Sequence, residues 1–313
     1  MEDLRISVII PVYNRENAVR EAIRSVLLQT YPVHEVIVVD DGSTDQTAAS
    51  VRAIPDARIR YRYQQNGGEG SARNLGIRCA TGDWLAFLDS DDLWDQDKLE
   101  TQAALVLKYP NIDFVHTNRR QHWPDGTVSP GRTDDGADLT DKKCLLQHWV
   151  INASTVMLKR TLLGSIGRHF LTVPRRCVDY EVWWRATILA AQIGYVERSV
   201  VTIRLGADGL SRSTTRPTSQ YIEDNIYSMS SVIEWCARMP EAVPYVGSLQ
   251  KWRTSEYSRL FLSRINERRF ALLFRDLIHC GRSGSILCLA RASAVTLRTV
   301  GGDALRRLRG ELR

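Results

Sequence analysis

Two short runs of aspartate have the residue type and spacing to do chemistry in this sequence. Asp89 and Asp91 offer carboxylate oxygens two residues apart, and Asp40 and Asp41 form a second acidic pair. The hard oxygen ligands of Asp89 and Asp91 suit Mg²⁺ or Mn²⁺, held largely through the phosphates of a substrate. Asp40 and Asp41 could instead hydrogen-bond a base or a ribose. Either run alone also fits an ordinary turn or helix cap, where aspartate is common. Their meaning therefore depends on where the fold places them.

The elements around these runs predict an α/β fold with a mainly parallel sheet and helices on both faces. Apolar, β-branched strand patterns cover residues 6–12, 35–39, 58–63, 84–88 and 113–117, and helical patterns cover 15–29, 71–80 and 97–109. Almost continuously apolar strands that alternate with helices are typical of such sheets. Ligands bind beyond the carboxyl ends of their strands, and each aspartate run follows a predicted strand. We therefore expect both runs at one edge of the sheet.

The pattern loosens after residue 117. Residues 122–138 predict a long loop or hairpin, 153–158 a strand, 179–191 a helix and 195–204 a further strand. A linker pattern over residues 206–217 is followed by about a hundred residues with helical periodicity. The sequence therefore predicts an all-α C-terminal extension after the α/β part.

The composition excludes several classes of protein. Of 313 residues, 43% are hydrophobic and 25% charged, which argues against disorder and fibrous repeats. No apolar run approaches the roughly 18 residues of a membrane span, and the N-terminus resembles a strand rather than a signal peptide. Six cysteines without a CxxC pair predict no zinc site and no disulfide framework. These features predict a soluble, cytoplasmic protein.

The basic residues are concentrated at the C-terminal end. The net charge is +6, and residues 270–313 hold eight arginines against three acidic residues. This tail fits either a solvated helical face or contact with an anionic membrane at the inner face of the plasma membrane. It has no aromatic interleaving and no recognised nucleic-acid module, so no nucleic acid is expected as a partner. Helical extensions of this kind often pair, which leaves a homo-oligomer open.

Four motifs in the first hundred residues resemble the inverting family 2 glycosyltransferases, which have a GT-A fold. They are V-I-I-P-V-Y-N at 8–14, D-D-G-S-T-D at 40–45, N-G with A-R-N-x-G at 66–76, and F-L-D-S-D-D at 87–92. Four motifs in the family's own order make a chance match very improbable. The resemblance continues more weakly to about residue 213 and does not reach the extension. It implies a nucleotide-sugar-binding half over 1–118 and an acceptor-binding half over 119–213, whereas the helical periodicity predicts the extension over 214–313.

The resemblance also implies roles for the residues of the first two motifs and for Arg73. Pro11, Tyr13 and Asp41 would line the nucleobase pocket, with Tyr13 stacking on the base and Asp41 accepting a hydrogen bond from it. Arg73 would lie near the base and the acidic pair. Asp40 would contact the ligand or serve only the structure, and the resemblance leaves both open.

The remaining roles concern the metal and the reaction. Asp89 would approach the ribose or the metal, and Asp91 would coordinate the Mn²⁺ or Mg²⁺ that bridges the diphosphate. Asp179 would be the catalytic base, although Val178 stands where the family has a first acid. Glu181 is the alternative base, and a plain helix N-cap is the structural alternative for Asp179. Arg212 would close over the diphosphate or be a solvated linker residue.

Together these patterns predict a metal-dependent, inverting glycosyltransferase of the hexosyltransferase type. It would move a sugar from a nucleotide-sugar donor, expected to be a UDP-sugar, to a hydroxyl of a glycan or lipid-linked glycan at the cytoplasmic face of a bacterial membrane. Two alternatives stay open. One is a non-catalytic nucleotide-sugar-binding protein, to which Val178 points, and the other is a nucleotidyltransferase, which also uses acidic metal sites beside parallel sheets.

Overall fold

The computed structural model describes residues 4–131, 137–148, 151–167, 170, 172, 179–205 and 218–266. The chain divides into two compact units, Met1–Ser213 and Thr214–Arg313. The predicted role of Arg212, the Val178 position and the basic tail over residues 270–313 all lie outside the described residues.

The described part of the first unit contains one nine-stranded sheet. Its strands are β1 (Ile6–Val12), β2 (Glu35–Asp40), β3 (Ile59–Tyr63), β4 (Trp84–Phe87), β5 (Leu93–Trp94), β6 (Ile112–His122), β7 (Val128–Pro130), β8 (Met157–Lys159) and β9 (Gln192–Arg204). The order is β3-β2-β1-β4-β8-β6-β9-β5, and β7 pairs with β6. Neighbours in β3-β2-β1-β4 are parallel, as are β6 and β9, whereas β8 runs antiparallel to both β4 and β6. The predicted parallel strands are confirmed in β3-β2-β1-β4. Because β5 also runs antiparallel to β9 and β7 to β6, the sheet as a whole is mixed.

Helices cover both faces of this sheet. They are α1 (Ala18–Leu27), α2 (Thr47–Arg52), α3 (Glu69–Cys79), α4 (Lys98–Lys108), α5 (Lys142–His148), α6 (Arg160–Ser165) and α7 (Tyr180–Leu189). Successive strand side chains point to opposite faces. Accordingly, Ile9 belongs to a core with Trp183 of α7, whereas Val8 belongs to a second core with Ile23 of α1 and Leu99 of α4. This is the α/β arrangement that the strand patterns predict.

Several predicted boundaries shift in the structure. The polar stretch after residue 117 forms a hairpin of β6 and β7, and β9 begins three residues before its predicted start. The predicted strand over 153–158 begins instead as a 3-10 turn, Ala153–Thr155, before β8. Asn152 starts this turn by accepting a hydrogen bond from the Ser154 N–H at 2.9 Å. This local side-chain bond competes with strand pairing.

The described part of the second unit is helical. The helices α8 (Thr218–Cys236) and α9 (Val246–Asn266) pack together, with a 3-10 turn, Val243–Tyr245, between them. A buried Arg264 joins them through its ion pair with Glu223 and a 2.6 Å hydrogen bond to Ser219 Oγ. Among the described residues, none of the helices combines the length and hydropathy that a membrane span requires.

Candidate active site

The carboxyl ends of the parallel strands bring the two aspartate runs to one edge of the sheet. Val12, the last residue of β1, pairs with Asp40 at the end of β2. On its other side β1 pairs with β4, where Ile9 lies opposite Phe87, two residues before Asp89. Since β1 lies between β2 and β4, the loops that follow all three strands meet at this edge, as the sequence predicts.

The loop after β1 is tied to the loop after β2. The Asn14 N–H donates to Ser43 Oγ at 2.9 Å, and Asn14 Oδ1 accepts from the Thr44 N–H at 2.8 Å. Asn14 has a φ of 51°, a left-handed conformation that asparagine tolerates better than most residues. Pro11 is buried in β1, whereas Tyr13 is 48% exposed. The exposed Tyr13 ring is thus available for stacking.

Asp40 is fully buried, and both of its carboxylate oxygens are engaged within the protein. Oδ1 accepts from the Ser43 N–H at 2.8 Å, and Oδ2 accepts from the Tyr61 hydroxyl at 2.7 Å. Of the two roles that the sequence leaves open for Asp40, these contacts support the structural one.

Asp41 holds the turn that leads into α3. Its Oδ1 accepts from Gln64 Nε2 at 2.6 Å and from the Gly67 N–H at 2.9 Å, and its Oδ2 accepts from the Gly68 N–H at 2.8 Å. A carboxylate has about four acceptor positions, so the three bonds leave Asp41 little capacity for a ligand. Gly68 has a φ of +86°, which favours glycine at this turn.

Arg73 is the buried cation of the site. Its Nη2 donates to Asp89 Oδ1 at 2.6 Å and also pairs with Glu69. Its guanidinium carbon lies 5.3 Å from the centre of the Phe170 ring, a cation–π geometry. Within the described part of the chain, Arg73 Nε and Nη1 are buried and have no hydrogen-bond partner. Arg73 therefore retains unused hydrogen-bond donors beside Asp89 and Glu69.

The loop after β4 crowds three carboxylates together. Burial and the Asp89 charge raise the pKa of Asp91, against the opposing charges of Arg15 and Arg204. Burial, Asp89 and Asp91 raise the pKa of Asp92 well above its ordinary value. Asp92 is nevertheless held in place, because its Oδ2 accepts from Ser154 Oγ at 2.5 Å and its Oδ1 from the Arg204 N–H at 3.2 Å. Unlike Asp40, these groups still repel one another.

Asp179 lies at the same cluster and precedes the first residue of α7. Its side chain makes no capping bond to the helix, so the plain N-cap role does not describe it. Instead its Oδ2 accepts from the indole Nε1–H of Trp183 at 3.1 Å. Burial raises the pKa of the Asp179 carboxyl, and the Asp89 charge adds to this against the effect of Arg73. A carboxyl group of this kind is suited to proton transfer.

Glu181, Trp183 and Trp184 of α7 are paired or buried, and so are not available to a substrate. Glu181, the alternative base, is buried in an ion pair with Arg185 one turn along the helix. Trp183 and Trp184 are both completely buried, so neither side chain is exposed for stacking on a sugar.

Glu69 is a member of the cluster that the sequence motifs did not single out. Burial and the charges of Asp89, Asp179 and Asp91 raise its pKa to about 7, although Arg73 opposes them. Its position four residues before Arg73 in a helix was the available signal, since side chains with this spacing meet. Ser154 and Arg204, which hold Asp92, carried no such signal because they lie 62 and 112 residues away in the chain.

Asp89 and Asp91 fit a divalent cation by the chemistry of their donors. Their hard oxygens lie among closely spaced carboxylates, and a cation would offset the burial and the Asp89 charge that raise the pKa of Asp91. The described residues contain no group of three or more His, Cys, Asp or Glu side chains that could hold a metal alone. A cation here would therefore need further ligands, such as the oxygens of a diphosphate.

Comparison with known proteins identifies relatives of the α/β unit. The model of glycosyl transferase family 2 matches residues 7–165, about half of the chain. An uncharacterized glycosyltransferase of Rickettsia conorii is 49% identical over 120 residues, which are 38% of this chain and 20% of that protein. The Escherichia coli UDP-Glc:alpha-D-GlcNAc-diphosphoundecaprenol beta-1,3-glucosyltransferase WfgD is 37% identical over 184 residues, 58% of this chain and 70% of WfgD. The matched region thus spans only a fifth of the first of these relatives.

Solved structures show the same fold. The S. aureus TarS fragment 1–349 in complex with UDP aligns with a TM-score of 0.66 and 21% identity, covering 82% of this chain and 72% of that one. The Pyrobaculum calidifontis mannosyltransferase PcManGT, in complex with GDP-Man and Mn²⁺, aligns with a TM-score of 0.62 and 19% identity, covering 98% and 83%. The GT-A fold that the motifs imply is therefore confirmed, and the chain belongs to glycosyl transferase family 2.

Proposed function

We propose that this chain is a metal-dependent, inverting glycosyltransferase that uses a UDP-sugar and a lipid-linked glycan acceptor. The observation that carries the proposal is the cluster at the edge of the sheet. Asp89, Asp91, Asp179 and Glu69 interact through their charges around the buried guanidinium of Arg73. Such a concentration of acidic groups with raised pKa values around a buried guanidinium is typical of a catalytic centre.

The donor would lie between the loops that follow β1 and β4. Tyr13 offers an exposed ring for the base, beside Pro11 and Asp41. Because the Asp41 carboxylate already accepts three hydrogen bonds, its contribution to base binding would be a single remaining acceptor position, or the shape of the turn that it holds. Arg73, with two unused donors, would face the ribose and diphosphate side.

Asp89 and Asp91 would hold Mn²⁺ or Mg²⁺ together with the donor diphosphate. When bound, such a cation neutralises the negative charge on the leaving diphosphate oxygens. Arg204 supports this position, since its Nε–H donates to the Asp91 carbonyl oxygen and its charge lowers the pKa of the Asp91 carboxyl.

Asp179 would act as the general base. Its raised pKa lets it accept a proton from the acceptor hydroxyl more readily than an ordinary aspartate would. The hydroxyl oxygen then forms a bond to the anomeric carbon as the bond to the diphosphate breaks on the opposite face. One displacement of this kind inverts the configuration and needs no covalent sugar–enzyme intermediate.

The relatives support the choice of substrates. The name of WfgD gives a UDP-Glc donor and a sugar-diphosphoundecaprenol acceptor, and one TarS structure contains UDP-GlcNAc. We infer that residues 119–213 form the acceptor side and that the acceptor brings the chain to the cytoplasmic face of a membrane. Flotation with vesicles that contain a diphosphate-lipid-linked GlcNAc tests this location, and the absence of binding would contradict it.

A transfer assay tests the proposal as a whole. The chain is incubated with Mn²⁺, a panel of UDP-sugars and a diphosphate-lipid-linked GlcNAc, and UDP release and the anomeric configuration of the product are measured. Transfer with inversion that Asp179→Asn abolishes is the expected result. Binding of UDP without transfer from any donor would favour the non-catalytic alternative, and pyrophosphate release from a nucleoside triphosphate would favour a nucleotidyltransferase.

A further inference from the structure

Phe170 is held in place by a buried side chain from a distant part of the chain. Asn74 Nδ2–H donates to the Phe170 carbonyl oxygen at 2.8 Å, and the Phe170 N–H donates to Asn74 Oδ1 at 2.9 Å. Both hydrogen bonds are buried and join residues 96 positions apart. Since leaving a buried polar group without a partner is costly, this reciprocal pair fixes the backbone of Phe170 and thereby the point from which its ring projects.

The Phe170 ring contacts two residues that belong to different parts of the site. The Arg73 guanidinium carbon lies 5.3 Å from its centre, and the Trp183 ring packs against it edge-to-face at 5.3 Å and 81°. Phe87, the last residue of β4, completes the cluster at 5.8 Å from Phe170 and 5.2 Å from Trp183. Aromatic contacts of this geometry add to the stabilisation that burial provides.

Each of these two contacts ends on a candidate functional carboxylate. Arg73 donates to Asp89, on the donor side, and Trp183 donates to Asp179, the candidate base. Phe170 itself bonds to neither carboxylate. The Phe170 ring therefore contacts both Arg73, which binds Asp89, and Trp183, which binds Asp179.

We propose that Asn74, Phe170 and Trp183 are positioning residues that together set the placement of Asp179 relative to the Arg73–Asp89 pair. This inference rests on the proposed function, in which Asp89 faces the donor and Asp179 takes the proton of the acceptor. The direct displacement requires the base, the hydroxyl and the anomeric carbon in one arrangement. Small displacements from such an arrangement lower the rate steeply. The two hydrogen bonds that hold Phe170 would therefore contribute to the reaction rate by keeping Asp179 and Asp89 in place.

The indole N–H of Trp183 provides a test that needs no activity. With ¹⁵N-labelled tryptophan, the cross-peak that disappears in Trp183→Phe belongs to this indole. We expect it to move in Asp179→Asn and also in Asn74→Ala, although Asn74 does not contact the indole. Gln102→Ala is the matched control, because Gln102 makes a similar buried bond to the Thr155 carbonyl oxygen and lies outside the aromatic cluster. A cross-peak that stays in place in Asn74→Ala, as in Gln102→Ala, would overturn the proposal.

Steady-state kinetics provide the second readout. Trp183→Phe keeps a buried ring but removes the hydrogen bond to Asp179, so we expect kcat to fall about tenfold with an unchanged KM for the donor. Asn74→Ala removes the two hydrogen bonds to Phe170 and so weakens its support of both Arg73 and Trp183. We therefore expect kcat to fall and the KM for the donor to rise. If Asn74→Ala does not fold, Trp183→Phe decides, and a wild-type kcat in that variant would contradict the proposal. A wild-type protein without transfer activity would refute the proposed function, while the cross-peak would still decide the positioning role.

Discussion

The two acidic loops at the edge of the sheet have similar sequences but opposite surroundings. After β2, the carboxylates of Asp40 and Asp41 accept five hydrogen bonds, two at Asp40 and three at Asp41. After β4, burial and the Asp89 charge raise the pKa of Asp91, and the buried Arg73 donates to Asp89. Both loops contain aspartates, but those after β2 have more hydrogen-bond donors around them than Asp89 and Asp91 have after β4.

This difference indicates that the aspartates after β2 stabilise the loop, whereas those after β4 can take part in binding and catalysis. A carboxylate whose oxygens already accept hydrogen bonds from backbone and side-chain donors holds a turn and gains less from a cation. Carboxylates that repel one another gain from a cation, a proton or a ligand. We therefore assign the first loop mainly to the shape of the donor site and the second to its reactions.

The largest expected effect is on catalysis. Asp179→Asn should lower kcat by about 10³-fold, because an asparagine cannot accept the proton and general-base catalysis contributes roughly 10²–10⁴-fold. UDP binding should be unchanged. Glu181→Gln is the matched control on the same helix, since Glu181 is paired with Arg185. Equal losses in the two variants would contradict the assignment of Asp179.

The next effect is on stability and concerns the braced loop. Asp41→Ala should lower the free energy of unfolding by about 3 kcal/mol, because hydrogen bonds to a charged group contribute roughly 1.5–3 kcal/mol each and do not simply add. Urea unfolding measures the change. Asp125→Ala removes an exposed aspartate that bonds the Thr127 N–H and should leave the urea unfolding midpoint nearly unchanged. Similar losses would show that Asp41 is not a brace.

The smallest effect is a pH dependence of the crowded loop. The pKa of Glu69 is raised from 4.5 to about 7, so between these values the folded chain holds a proton that the unfolded chain has lost. The free energy of unfolding should therefore fall as the pH rises from 4.5 to 7. Glu69→Gln should reduce this slope, whereas Glu197→Gln, an exposed residue of β9, should not. An equal pH dependence of the free energy of unfolding in the two variants would show that the pKa of Glu69 is not raised by the neighbouring carboxylates.

The sequence predicts the parallel strands and the common edge well, because both follow from local patterns. Continuous apolar runs specify β1 and β2, and the order of strands and helices places Asp40 and Asp89 at the carboxyl ends. It could not distinguish Asp40 from Asp91, since the donors that satisfy Asp40 include Tyr61, 21 residues away. Phe170 was missed for the same reason, as its partner Asn74 is 96 residues away. Contacts of this kind depend on the assembled fold.

The most direct test of the account is the metal-dependent binding of UDP. Binding is measured as the rise in unfolding temperature that UDP causes with and without Mn²⁺. Wild type, Asp91→Asn and Asp40→Asn are compared. We predict that Asp91→Asn loses the part of the stabilisation that requires Mn²⁺, and that Asp40→Asn unfolds at a lower temperature but keeps it. A Mn²⁺-dependent stabilisation that survives in Asp91→Asn, or is lost in Asp40→Asn, would contradict the division of the two loops.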